Sequence, residues 1–295
     1  MPLEHRLGPL SKLDLFGYGK RLKSLIMKFD TLIEKIMAEH ENDRNSGGKE
    51  RKDIMVLLLE IYRDENAEVK LSRTNIKSFL MELFMAGTDS TSVALHWAIA
   101  ELINHPQAFK KRREEINTVV GSTRLVEESD IPNLPYLQAV VKETLRLHPS
   151  ASLIFRRCDK DCKINGYDVL ANERVIFDLK AIMRDPNSWE NPLDFLPQRF
   201  TTDFEERYDH SRMDVRGQNL RIFPFGSGRG CPGASLALAV IHGAIARLVQ
   251  CFDFEVQDGQ RLNMEEGSGF SGAMVHPLLC YPVTHLNPLE IANKI

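Results

Sequence analysis

Hydrophobic residues recur at helical spacing through the first half of the chain. Leu22, Leu25, Ile26, Phe29, Ile33 and Ile36 lie three or four apart, and that period predicts a helix over roughly residues 20–41. The polar, glycine-containing run ENDRNSGGKERKD comes next and predicts an exposed loop. A second helix is predicted from Ile54 to Tyr62. A much longer apolar pattern runs from Thr74 to Asn104 and stops before Pro106, as helices do ahead of a proline. At about 1.5 Å per residue it reaches about 45 Å. Its apolar character is broad (FLMELFMAG, VALHWAIAELI), which predicts a largely buried span. Further helices are predicted over residues 107–120 and from Pro135 to Leu147.

The pattern changes at Pro149. SLIFRRC, CKINGYDVL and ERVIFDLK read as short strands joined by turns. A loop-rich stretch, RDPNSWENPLDFLPQRF, leads to a glycine-rich turn at residues 223–233 and a helix over about 232–252. The tail, including GAMVHPLLCYPV, reads as short strands. No internal repeat or low-complexity tract interrupts this order. The fold class is mainly α with a minor β part.

Composition narrows the function classes. The chain has 295 residues, of which 43% are hydrophobic and 27% charged, with 38 basic and 41 acidic residues and a net charge of −3. That balance argues against nucleic acid as a partner. The five cysteines, Cys158, Cys162, Cys231, Cys251 and Cys280, are an odd, sparse set that predicts reduced thiols. Cys158 and Cys162 have the wrong spacing for a zinc knuckle and read as ordinary strand or loop residues. No stretch reads as a membrane span or a signal peptide.

Four motifs carry candidate chemistry. Ala86-Gly87-Thr88-Asp89-Ser90-Thr91 sits in the middle of the long helix, where such residues weaken a helix. It reads either as a solvated kink or as a local opening that presents hydroxyls and a carboxylate. Glu143 and Arg146, in ETLR, share one helix face. Arg199 lies in PQRF, which alone is only a loop with a charge. The fourth motif is FPFGSGRGCPG, with Cys231 at a turn into a helix. Unpaired N–H groups at a helix N-terminus favour negative charge, so this cysteine is placed to be a thiolate. Pro232 suits the first helical position, and the glycines permit close approach of something flat or bulky. The bland reading is a glycine-rich turn with a structural cysteine.

In this order, AGTDST, ETLR, PQRF and FGSGRGCPG resemble the motifs of the cytochrome P-450 family of heme-thiolate monooxygenases. The resemblance covers nearly the whole chain and is strongest to the plant microsomal group that oxidises flavonoids and terpenoids. It implies heme b (iron protoporphyrin IX) with Cys231 as the axial ligand of the iron. Asp89, Ser90 and Thr91 would relay protons. Arg229 and Arg156 would hold the heme propionates, and Phe225, Gly228 and Gly233 would belong to the heme loop. Glu143, Arg146 and Arg199 would form a buried ion network. The resemblance further implies an NADPH–cytochrome reductase as electron donor, O2, a small lipophilic substrate, and the cytosolic face of the endoplasmic reticulum membrane. Residues 150–155 and 270–274 would line the substrate pocket.

Three departures stand out. Ser90 and Gln198 replace the threonine and glutamate usual in their motifs. The loop from Phe225 to Cys231 is one residue shorter than the family pattern, which is expected to displace Phe225 and Gly228. Complete plant members are much longer, so the expectation is the C-terminal portion of a single cytochrome P-450 domain, with the membrane anchor, early strands and early helices missing. The alternative reading is a catalytically incompetent remnant that binds heme weakly or not at all.

Overall fold

The computed structural model describes residue 14 and residues 17–45, 53–201, 213–259, 261–267 and 271–292. They fall into two compact units divided between Ala86 and Gly87. The first holds α1 (Tyr18–Asn45), α2 (Ile54–Arg63) and the start of α3 (Arg73–Asn104). Ile33, Met37, Met55, Leu59 and Ile76 form its core. Asp53 caps α2 by accepting the Val56 N–H at 3.0 Å. Lys77 Nζ lies 2.8 Å from both Asp30 and Glu34, pinning α3 to α1. Helix α1 runs through Asn45, into the segment read as loop; residues 46–52 of that segment lie outside the described residues. Leu22, Leu25 and Ile26 are exposed.

Helix α3 is continuous from Arg73 to Asn104. The expectation of a largely buried span holds only for its second half. Val93, Ala94, Trp97, Ala98, Ile99, Ala100 and Leu102 are buried, whereas Phe79, Phe84 and Met85 are exposed. An even spread of apolar residues gives no face to distinguish core from surface, so packing partners alone decide where burial begins.

The second unit continues with α4 (Pro106–Val119), a 3-10 turn at Glu128–Asn133 and α5 (Pro135–Leu147). Strands β1 (Leu153–Arg157), β2 (Cys162–Ile164), β3 (Tyr167–Val169) and β4 (Arg174–Asp178) precede α6 (Leu179–Met183). After a 3-10 turn at Pro197–Phe200 come α7 (Ala234–Cys251), β5 (Phe252–Glu255), β6 (Tyr281–Thr284) and α8 (Pro288–Ala292). The strands make three antiparallel pairs: β1 with β4, β2 with β3, and β5 with β6. Asn165 and Gly166, both at positive φ, turn the β2–β3 hairpin.

Pro106 and Pro135 open α4 and α5, where a missing N–H does no harm. The Glu115 carboxylate of α4 accepts the Tyr136 and Leu137 N–H groups at 2.7 and 2.9 Å, capping α5 from outside. Leu102, Ile116, Val140, Leu145, Ile241, Ile245 and Val249 join α3, α4, α5 and α7 in one core cluster. A second cluster, with Leu179, Met183, Trp189, Phe200, Ile222 and Phe223, lies under the loops. Contrary to the sequence reading, one described helix, α7, is long and apolar enough to cross a membrane. Its Ile241, Ile245, Ala246 and Val249 are buried in the first cluster; a low-charge core helix satisfies the same criteria of length and composition.

Arg112 stands apart in this core. It is fully buried on α4, and among the described residues none of its three guanidinium nitrogens has a hydrogen-bond partner. Burial brings its pKa down to about 9, with Glu115 opposing the fall. It is therefore still a cation at neutral pH. An unpaired buried charge opposes folding. Arg112→Met is expected to raise the unfolding free energy by about 1–4 kcal/mol, read from denaturant midpoints; an unchanged or lower midpoint contradicts this.

Asp130 behaves oppositely. Hydrogen bonds from Arg124 at 2.6 and 2.7 Å, with the Glu127 N–H, lower its pKa from 3.8 to about 2. A carboxyl depressed on folding contributes stability that is present above its unfolded value and lost as pH falls through its folded one. Asp130→Asn is expected to lower stability at pH 7 and to flatten the loss of stability between pH 3.8 and about 2. Parallel pH profiles for the two proteins contradict it.

Candidate active site

Helix α5 places Glu143 and Arg146 one turn apart on a face with no solvent access. Arg146 Nε and Nη2 donate to the two Glu143 carboxylate oxygens, both at 2.8 Å, in a bidentate fork. Arg199, from the Pro197–Phe200 turn, donates Nε to Glu143 Oε1 at 3.2 Å, and the Leu196 N–H reaches the same oxygen at 3.0 Å. Further donors of both guanidiniums hold backbone carbonyls. Arg146 reaches the oxygens of Met183, Pro192 and Asp194 at 3.0, 2.8 and 3.3 Å, and Arg199 reaches Asn191 O at 2.8 Å. One carboxylate and two guanidiniums thus tie α5 to the end of α6 and to the loop over residues 191–199.

That anchorage extends to the cysteine turn. Met183, whose carbonyl Arg146 holds, accepts the Phe223 N–H at its Sδ, 3.3 Å away. Phe223 O accepts the Gly226 N–H at 2.8 Å, and Phe225 O accepts the Cys231 N–H at 2.8 Å. Phe225 is half-buried and packs against both core clusters. Gly226 and Gly228 sit at φ +79° and +67°, where a side chain would be strained. Gly217 is tighter still: a Cβ there would lie 2.1 Å from Gly226 O. The turn delivers Cys231, which is exposed, to the head of α7. The helix begins at Ala234 with Gly233 as its cap, so Pro232 precedes the helix instead of opening it. The Cys231 carbonyl accepts the Ala234 N–H, and a Cβ on Gly233 would stand 3.8 Å from the cysteine sulfur.

Arg156 leaves β1 toward the same turn. Its Nη2 donates to Arg229 O at 3.2 Å, and it lies 3.8 Å from a Cβ built on Gly226. Arg156, Gly228 and Arg229 are exposed. Among the described residues, nothing lies within 4 Å of a Cβ built at Gly228. A soft sulfur donor, two cations suited to carboxylates, and clear space fit an iron porphyrin held by a thiolate.

Residues 86–91 remain helical, with Asp89 and Ser90 exposed and Thr91 half-buried. The helix does not open here. Ser92 Oγ donates to Asp89 O at 2.8 Å, and Ser150 Oγ donates to Ser90 O at 2.7 Å. Ser150 in turn meets the tail: Gly272 N donates to Ser150 O at 3.2 Å, and Ala151 bridges Ser271. Residues 150–151 and 271–272 therefore converge beside α3, while Phe270 lies outside the described residues. Among the described residues, no hydrogen bond connects Asp89, Ser90 or Thr91 with Cys231.

Sequence reasoning missed the polar knot that fixes this convergence. His148 stacks on Trp97 at 3.9 Å between ring centroids. Its ring nitrogens face Glu101 at 2.7 Å and Glu266 at 2.9 Å, and Lys180 and Arg184 also pair with Glu266. Trp97 Nε1 donates to Gly272 O at 2.6 Å. Burial pushes the Glu101 carboxyl up, but hydrogen bonds from His105 and His148 outweigh it and hold it below the ordinary value. The available signal was Trp97 and Glu101 at helical spacing, with His148 just after a helix end.

The ion network yields a stability prediction. Glu143→Gln leaves two buried guanidiniums without their counter-charge and is expected to remove about 3–5 kcal/mol. Glu143→Leu combined with Arg146→Met and Arg199→Met abolishes the charges but also strips loop carbonyls of their donors. It is expected not to regain wild-type stability. Denaturant unfolding checks both, and full recovery in the triple variant contradicts the carbonyl-anchoring role.

Comparison with known proteins bears on the same residues. The Cytochrome P450 family model matches residues 6–281. Cytochrome P450 93A3 of Glycine max is 45% identical over 289 residues, covering 96% of this chain and 56% of that protein. The 3,9-dihydroxypterocarpan 6A-monooxygenase of Glycine max is 44% identical, covering 95% and 55%. Its beta-amyrin 24-hydroxylase is 43% identical, covering 96% and 56%. The chain thus spans about half the length of the curated relatives it matches. A zebra fish cytochrome P450 structure with progesterone superposes with a TM-score of 0.72 at 28% identity, covering 90% of this chain and 58% of that one. With the fold, the family model and these relatives in agreement, the chain belongs to the cytochrome P450 family.

Proposed function

We propose that this chain forms the heme-bearing part of a monooxygenase that hydroxylates a lipophilic plant secondary metabolite, using O2 and electrons from an NADPH-dependent reductase. The observation that carries this reading is Cys231, exposed on a glycine turn at the head of α7 and tied by its N–H to Phe225. Cys231 would hold the iron of heme b as a thiolate. Bound heme supplies the redox chemistry, and thiolate donation favours cleavage of the O–O bond.

The chain's own residues take the remaining roles. Arg156 and Arg229 would hold the propionates by charge-assisted hydrogen bonds. Gly226, Gly228 and Gly233 would keep the backbone low beside the ring. Asp89, Ser90 and Thr91 would hold and pass protons from the exposed face of α3. Residues 150–155 and 271–274 would orient the substrate; their mostly small or apolar side chains suit a lipophilic molecule. Two relatives are named for a pterocarpan and for beta-amyrin, which supports that class. The endoplasmic reticulum membrane, at its cytosolic face, is the proposed location.

The test is optical. The chain is loaded with heme, reduced and exposed to carbon monoxide. A band at about 450 nm, lost in Cys231→Ser, is the expected signature of thiolate ligation. A band at about 420 nm, or no heme uptake, overturns the reading and favours the remnant that does not catalyse.

A further inference from the structure

Cys158 and Cys162 were unremarkable in the sequence, yet the fold brings their sulfurs to 3.5 Å. Backbone bonds fix both positions. The Cys158 N–H donates to Glu173 O at 2.9 Å, and its carbonyl accepts the Asn172 N–H at 2.8 Å. Cys162 opens β2 opposite Val169. Between them, Asp161 accepts the Ala171 N–H at 2.7 Å, and Lys160 O faces the Cys158 sulfur at 3.0 Å. The link is thus folded into a tight connection that points two thiols at each other. Cys162 is exposed and Cys158 half-exposed, so small oxidants and reductants have access. The hydrogen bond with Cys158 pushes the Cys162 thiol up, whereas burial does so at Cys251 and Cys280.

We infer that Cys158 and Cys162 form a reversible dithiol–disulfide couple, a redox modification site separate from the heme chemistry. The sulfurs must close from 3.5 Å to about 2.05 Å to form the bond. The oxidant is a hydroperoxide. One thiolate attacks its oxygen, giving a sulfenic acid and, from hydrogen peroxide, one water. The second thiol then displaces the sulfenic oxygen as another water, forming the S–S bond. The pair loses two electrons and two protons, and the peroxide is reduced to two waters. A thiol such as glutathione reverses the bond by exchange through a mixed disulfide.

The test uses the full chain, folded and urea-unfolded, equilibrated in graded glutathione buffers. Free thiols are trapped by alkylation, and the chain is cleaved at Lys160, which separates the two cysteines. The expected product is a linked peptide pair carrying Cys158 and Cys162, two hydrogens lighter than the dithiol and released by dithiothreitol. Preorganisation is expected to favour the disulfide about tenfold over the unfolded chain, a potential about 30 mV more negative for a two-electron couple. Cys158→Ser should abolish the link and leave Cys162 alkylated. Equal potentials in folded and unfolded chains, independent alkylation of both thiols at every poise, or links only between chains overturn the inference.

Discussion

The buried carboxylate of Glu143 is the constraint on which the site scaffold depends. It faces two guanidiniums and one backbone N–H with no solvent access. Desolvating three charges is costly, so such a cluster is a poor source of net stability. Its role is specification. Four further hydrogen bonds from the two guanidiniums go to carbonyls, and those carbonyls belong to segments with little regular structure of their own. Met183 ends a five-residue helix, and Asn191, Pro192 and Asp194 lie in irregular chain. Hydrophobic contacts alone would leave such segments free to slide; directional donors fix them.

From this anchor the order passes outward in short steps. Met183 gives its carbonyl to Arg146 and its sulfur to the Phe223 N–H, and Phe223 begins the hydrogen bonds that close the cysteine turn. Cys231 is thereby an exposed sulfur on a well-fixed backbone. That combination suits metal ligation, which needs an accessible donor whose position is set in advance. Membership in the cytochrome P450 family gives this arrangement its chemical context.

Much of this was legible in the sequence, for identifiable reasons. The bounds of α2, α5 and the four strands at residues 153–178 follow hydrophobic period and punctuation by proline and glycine. The four motifs carry unusual residue combinations, so their order was informative before any geometry. Partnership across long separations was not legible. Nothing in the local pattern marks Arg112 as a buried cation with no hydrogen-bond partner among the described residues, or Glu266 as the hub of His148, Lys180 and Arg184. The exposure of Phe84 and Met85 was equally hidden, because α3 has no polar stripe to reveal which turns are covered. The closeness of Cys158 and Cys162 depends on backbone bonds to residues 172 and 173, which spacing alone does not disclose.

The central claim is that the Glu143 network orders the cysteine turn. Amide hydrogen exchange compares Phe223, Gly226 and Cys231 in the wild-type chain and in Glu143→Gln, under conditions where both remain folded. The account predicts that these three amides lose protection well ahead of α4 and α7 core amides such as Ile116 and Ile245. Unchanged protection at the turn, or a uniform loss across all of these positions, would contradict it.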